Sequence, residues 1–156
     1  MIKIKVIAVG SLKEKFLKEA LNEYEKRLSK FAKLEIIEVE ETKIQSKSAE
    51  NVKKEECERL LKKIGERDFV ILLDVHGEII SSEELATKLD NLVQKGISPI
   101  TFVIGGTLGL SEEIRKRANF RLSISKMTFT HQMCRVILLE QIYRAFKINN
   151  NEEYHH

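Results

Sequence analysis

Along the chain, five short apolar runs alternate with longer stretches in which apolar residues recur at helical spacing. Residues 2–9 alternate apolar and basic side chains, then become wholly apolar, which predicts a partly buried strand. Ser11 and Glu14 form an S-x-x-E capping box ahead of a helix. The inward stripe of that helix is Leu12, Phe16, Ala20, Tyr24, Leu28 and Phe31, thickened by Leu17 and Leu21. Residues 34–39 form a second strand and the polar stretch 40–47 a flexible loop. A helix capped by Ser48 follows, with Val52, Cys57, Leu60, Leu61 and Ile64 inward and Gly65 at its end. Residues 69–75 are apolar on both faces except at Asp74, the pattern of a parallel strand covered on both sides.

Gly77 is expected to turn the chain. Ser81 and Glu84 form another capping box, before a helix that points Leu85, Leu89, Leu92 and Val93 inward. Pro99 precedes strand 100–104; glycines 105, 106 and 109, a helix capped by Ser111 and strand 120–124 come next. The last helix runs from about His131 to Lys147. Strands regularly followed by helices predict an α/β fold: a single domain over 1–156 with a mainly parallel five-stranded sheet and helices on both faces. Handedness rules do not give the strand order.

Composition narrows this little. The chain has 156 residues, 42% hydrophobic and 33% charged, as a globular domain does. No apolar run is long enough to span a membrane, and the N-terminus lacks the features of a signal peptide. Cys57 and Cys134 have no CxxC or metal spacing and read as free thiols, so no metal is expected and the cytoplasm is the expected compartment. Charge is more telling. Net charge is +3, but residues 1–110 carry 19 basic and 19 acidic side chains, whereas 111–147 carry 8 basic and 3 acidic, a local +5. Arg115, Arg117, Arg121 and Arg135 in that segment are candidate phosphate contacts, and a solvated face is the competing explanation.

Ligands of open α/β sheets bind at the carboxyl ends of the strands, and two such ends carry unusual residues. Gly105 and Gly106 follow a buried strand, where backbone N–H groups can approach a ligand unobstructed by Cβ atoms; a tight turn needing positive φ is the alternative. The loop is neither a Walker loop nor G-x-G-x-x-G. Loop 125–130 holds Met127 and Phe129, large apolar groups that face a ligand, a partner or the core. His131 and Arg135 share a helix face, and each serves either catalysis or structure. The last helix is apolar around most of its circumference, so it is buried on two sides, against a second subunit or within one chain.

The segments IAVGSLKEKF, LNEYEKRLSKF, VIGGTLGL, SISKMTFTHQM and RVILLEQIYRAFKI, with a Tyr-His near the end, make the chain resemble the RlmH family of SPOUT methyltransferases over nearly its whole length. The resemblance implies a C-terminal trefoil knot, a homodimer and methyl transfer from S-adenosylmethionine to N3 of a pseudouridine in large-subunit (23S) ribosomal RNA, within the ribosome. It implies a cofactor site at Leu73, Gly105, Ile124, Ser125, Lys126, Met127, Thr128 and Phe129. It places Tyr154 and His155 beside the donor, reaching into the partner's site. Assistance in removing the N3 proton is open among Tyr154, His155, His131 and Arg135. The family's Pro is replaced here by Thr130, and its Arg-Gly by Asn150-Asn151. A non-catalytic RNA- or ribosome-binding module and a generic nucleotide-binding enzyme are the competing functions.

Overall fold

A computed structural model of the chain describes residues 1–43 and 48–154. Its elements run β1 (Ile2–Val9), α1 (Lys15–Leu28), β2 (Ala32–Val39), α2 (Ala49–Lys62), β3 (Phe69–Ile79), α3 (Ser82–Gln94), β4 (Ile100–Ile104), α4 (Glu112–Arg117), β5 (Phe120–Ser123) and α5 (His131–Asn149). All strand pairs are parallel, in the order β2-β1-β4-β3-β5. The predicted fold class is therefore present, with the order that the sequence left open.

Strand alternation divides the core in two. Ile4, Val6, Ile71, Ile100 and Phe102 point to the side of α1, α3 and α5, where they meet Leu21, Leu89, Leu139 and Ile142. Ile7, Val70, Leu72 and Val103 point to the other side, against Leu60 of α2 and Ile114 of α4. One polar cluster interrupts this packing. Lys5 of β1 donates to Asp68 Oδ2 at 2.8 Å, and the Thr101 hydroxyl donates to the same oxygen at 3.0 Å. Burial alone would raise the Asp68 carboxyl, but hydrogen bonds from Lys5, the Gly65 N–H and Thr101 hold it below its usual range.

Helix starts agree with the capping signals at Ser48, Ser81 and Ser111, and Ser81–Glu84 closes a full capping box. Ser11 does not cap. Gly10 turns at φ +79°, and the Lys13 N–H donates to Gln132 Oε1 at 3.2 Å, so residues 11–14 lie against the start of α5 and the helix begins only at Lys15. Its buried stripe is then Leu17, Leu21 and Leu28, which leaves Phe16 61% exposed rather than inward. Val93, expected inside, is also exposed. Gly77 is not a turn. It lies within β3, where the pairing with β5 shifts register between Leu73 and Glu78, and a Cβ there would fall 2.6 Å from the Arg121 carbonyl oxygen. In the expected loop 40–47, residues 44–47 lie outside the described residues.

Helix α5 packs between α1 and α3 on one face of the sheet, and Leu138, Leu139, Ile142, Ala145 and Phe146 are buried there within a single chain. Much of its apolar circumference is thus accounted for without a second subunit.

Candidate functional site

Residues 73–76 of β3, the carboxyl ends of β4 and β5 and the first turn of α5 enclose a cleft of about 450 Å³. Leu73, Gly105, Ile124, Ser125, Met127, Thr128 and Phe129 line it, so a residue of β3 meets the loops that follow β4 and β5. Lys126 is exposed and does not line the cleft. The loop after β5 is shaped by serines: the Ser123 hydroxyl donates to the Ser125 carbonyl, and Ser125 Oγ accepts the Met127 N–H, each at 3.0 Å. That turn leaves Met127 76% exposed at the rim. Thr130 caps α5, its Oγ accepting the Met133 N–H at 3.2 Å, a hydrogen bond that a proline could not make.

The glycines are needed for close packing more than for unusual dihedrals. Gly109 alone in this loop has positive φ, at +100°, and its N–H closes a turn onto the Gly106 carbonyl at 3.1 Å. A Cβ on Gly105 would sit 2.6 Å from Leu110 Cδ2, and Leu110 also lines the cleft. A second groove, of about 1,100 Å³, shares Gly106, Thr107, Thr128, Phe129 and His131 with the first and runs out past Lys13 and Phe16.

The catalytic candidates separate in space. His131 borders both cavities; burial, and then the Arg135 charge, push its imidazole below its ordinary value, toward the neutral form. Arg135 is 2% exposed and already committed. It donates to the Val9 carbonyl at 3.1 Å and the Gly10 carbonyl at 2.7 Å and pairs with Glu38, tying α5 to the ends of β1 and β2. Tyr154 folds back on its own α5, edge-on to Tyr143 at 4.9 Å between centroids, with the Arg144 guanidinium 4.9 Å from its ring centre. Burial and a hydrogen bond with Tyr24 push its phenol up to about 12. Tyr143 lies twelve residues beyond His131 on α5, so the two ends are roughly 18 Å apart along the helix. His155 lies outside the described residues.

Among the candidate phosphate contacts, Arg117 is occupied internally by the Gly65 and Asp68 carbonyls at 2.9 and 3.0 Å. Arg115 and Arg121 each approach Asp74 Oδ2 at 3.4 Å while remaining partly exposed. The sequence did not mark Asp74, His76 and Cys134 as neighbours of the cleft. The one available signal was Asp74, the single polar residue in an otherwise apolar strand run.

A parallel α/β domain with a cleft of small-ligand size between β3, the ends of β4 and β5 and a glycine loop is the class that fold and site define. The family model described as "Predicted SPOUT methyltransferase" matches residues 2–155, and the chain belongs to that family. Among its relatives, Ribosomal RNA large subunit methyltransferase H of Acetivibrio thermocellus is 52% identical over 99% of both chains. The protein of the same name from Clostridium botulinum (strain 657 / Type Ba4) is 54% identical over 97% of this chain and 98% of its own. A solved structure described as "a probable methylase family protein" from Haemophilus influenzae Rd KW20 aligns with a TM-score of 0.49 and 14% identity, over 95% of this chain and 66% of that one.

Proposed function

We propose that this chain transfers a methyl group from S-adenosylmethionine to N3 of a pseudouridine in 23S ribosomal RNA, acting as a homodimer on the ribosome in the cytoplasm. The observation that carries the reading is the convergence of Leu73, Gly105 and residues 124–129 on one cleft, in a chain half identical over its length to named ribosomal RNA methyltransferases. Among the described residues no helix is long and apolar enough to cross a membrane.

The cleft suits the donor. Its volume falls in the range of small-ligand sites, roughly 300–1,000 Å³. Leu73, Ile104, Leu110, Leu122 and Ile124 offer apolar walls for a purine, and the backbone of Gly105 and Gly106 lines the cleft beside them. Bound there, the donor supplies an electrophilic methyl group on a sulfonium. The chain's part is alignment, exclusion of water and management of the N3 proton. His131, at the seam of the two cavities and held toward its neutral form, is placed to accept that proton. Arg135, turned inward, supports the site without entering it.

Tyr154 is too far along α5 to serve the cleft of its own chain. Its service in a partner's cleft fits an antiparallel pairing through the half-buried Val136 and Ile137 of α5. Tyr154 works there as a stacking surface. The knot that the resemblance implies belongs to this same reading.

The test is Gly105→Val. Its branched side chain cannot be seated without moving Leu110, a residue of the cleft wall. Calorimetry should find S-adenosylmethionine binding lost in a protein that still unfolds cooperatively. Wild-type affinity in folded Gly105→Val protein would remove the assigned pocket.

A further inference from the structure

Behind the cleft lies a buried acid that the chemistry above does not use. Glu56 of α2 is 3% exposed. Its Oε2 accepts the Thr42 N–H at 3.0 Å, which anchors the chain just after β2. Its Oε1 faces the glycine loop so closely that a Cβ built on Gly106 would lie 2.4 Å from it. Gly106 has no positive φ. What crowds a side chain there is therefore this carboxyl, buried and held by its hydrogen bond to Thr42, and not backbone conformation. The next residue, Cys57, supports the other end of the same loop, its Sγ accepting the Ser111 N–H at 3.3 Å.

Burial pushes the Glu56 carboxyl above its ordinary range against the Thr42 hydrogen bond; Glu41 and Glu55 add to that push and Arg59 opposes it. A buried carboxyl is a costly way to fill space, since an apolar side chain packs there without desolvation. Its geometry offers a different use. It joins the segment after β2 to Gly106, a residue that borders both cavities.

We propose that Glu56 is a positioning residue for the methyl-donor pocket: its carboxyl, seated against Gly106 and bonded to Thr42, sets the 104–110 loop from behind before the donor arrives. The proposal rests on the donor reading of the cleft and adds to it a residue that never touches the ligand. Glutamine preserves the shape and an acceptor for Thr42, whereas alanine leaves the loop unsupported. A methyl group on Gly106 collides with the carboxyl but fits the space that alanine at 56 would vacate.

The experiment is a double-mutant cycle on Glu56→Ala and Gly106→Ala, with Glu56→Gln as the conservative variant. S-adenosylmethionine affinity is read by calorimetry, ribosome affinity by sedimentation and folding by thermal unfolding. Each single alanine variant should weaken S-adenosylmethionine binding by roughly tenfold, an ordinary coupling for touching residues. Gly106→Ala should cost nothing further in the Glu56→Ala background. Glu56→Gln should bind as wild type, and ribosome affinity should hold throughout. Additive losses, wild-type affinity in Glu56→Ala, a glutamine variant as weak as alanine, or equal loss of ribosome binding would each overturn the proposal. Those outcomes count against Glu56 alone when the wild type binds S-adenosylmethionine; a wild type that does not bind it sinks the donor reading, and this inference with it.

Discussion

Arg135→Met separates a structural from a chemical role at a residue that the sequence offers for catalysis. The thioether keeps most of the aliphatic stem and deletes the guanidinium. Two carbonyls, of Val9 and Gly10, then lose a charged donor in a site from which solvent is nearly excluded. A hydrogen bond to a charged group contributes about 1.5–3 kcal/mol. Both carbonyls share the same nitrogen, Nη2, so the two bonds together lie at the lower end of their sum. Glu38 has 42% of its side chain exposed and can turn to water, so its unpairing adds at most about 1 kcal/mol. The expected loss is about 3–5 kcal/mol, a large share of a typical domain's 5–15 kcal/mol. At about 2–4 °C per kcal/mol for a chain of this size, melting should fall by roughly 6–20 °C. Urea unfolding measures the loss directly. Arg135→Lys should fall between, because a single ammonium nitrogen cannot occupy both positions from which Nη1 and Nη2 reach Glu38 and the two carbonyls. Methyl transfer, assayed well below the variant's melting range, should stay within a fewfold of wild type. A variant with the wild-type urea midpoint and no methyl transfer would refute the reasoning and return Arg135 to the chemistry.

Asp68→Asn should cost about 3–5 kcal/mol at neutral pH, because Lys5 stays buried without its counter-ion. The Asp68 carboxyl is held below 3.8 in the folded chain, so its contribution is complete above that value and fades as pH falls through the lower native one; the stability gap between variant and wild type should narrow there in acid urea titrations. Deleting residues 154–156 should leave S-adenosylmethionine binding intact by calorimetry and abolish most methyl transfer, with about 1 kcal/mol lost from the Tyr143–Tyr154 contact; full activity would make the tail a mere end. Ile137→Asp should shift sedimentation from dimer to monomer without unfolding the chain, whereas Ile142→Glu should unfold it, Ile142 being wholly buried within one chain; a folded wild-type monomer at micromolar concentration would remove the dimer.

Local chemistry made much of this protein readable from its residues. Strand runs, the capping serines 48, 81 and 111, and the two-sided apolarity of residues 69–73 depend on near neighbours and backbone geometry, and they survive folding. The strand ends that line the cleft were legible for the same reason, since glycines and misplaced apolar residues stand out where a loop should be polar. Tertiary structure decided whatever depended on distant partners. Ser11 lost its capping role to a hydrogen bond between Lys13 and Gln132, 119 residues apart. Phe16 left the core because α1 docks on the sheet through Leu17, Leu21 and Leu28, which turns Phe16 to the second groove. Whether Arg135 acts or supports was open in the sequence until Val9, Gly10 and Glu38 came within reach of it. Gly106 read as an opening for a ligand, yet the atom that excludes a side chain there belongs to Glu56 on another element. A helical or alternating period records which face a residue takes within its own element. It carries no information about which atoms the crossovers bring against that face, and those atoms separate supporting residues from acting ones.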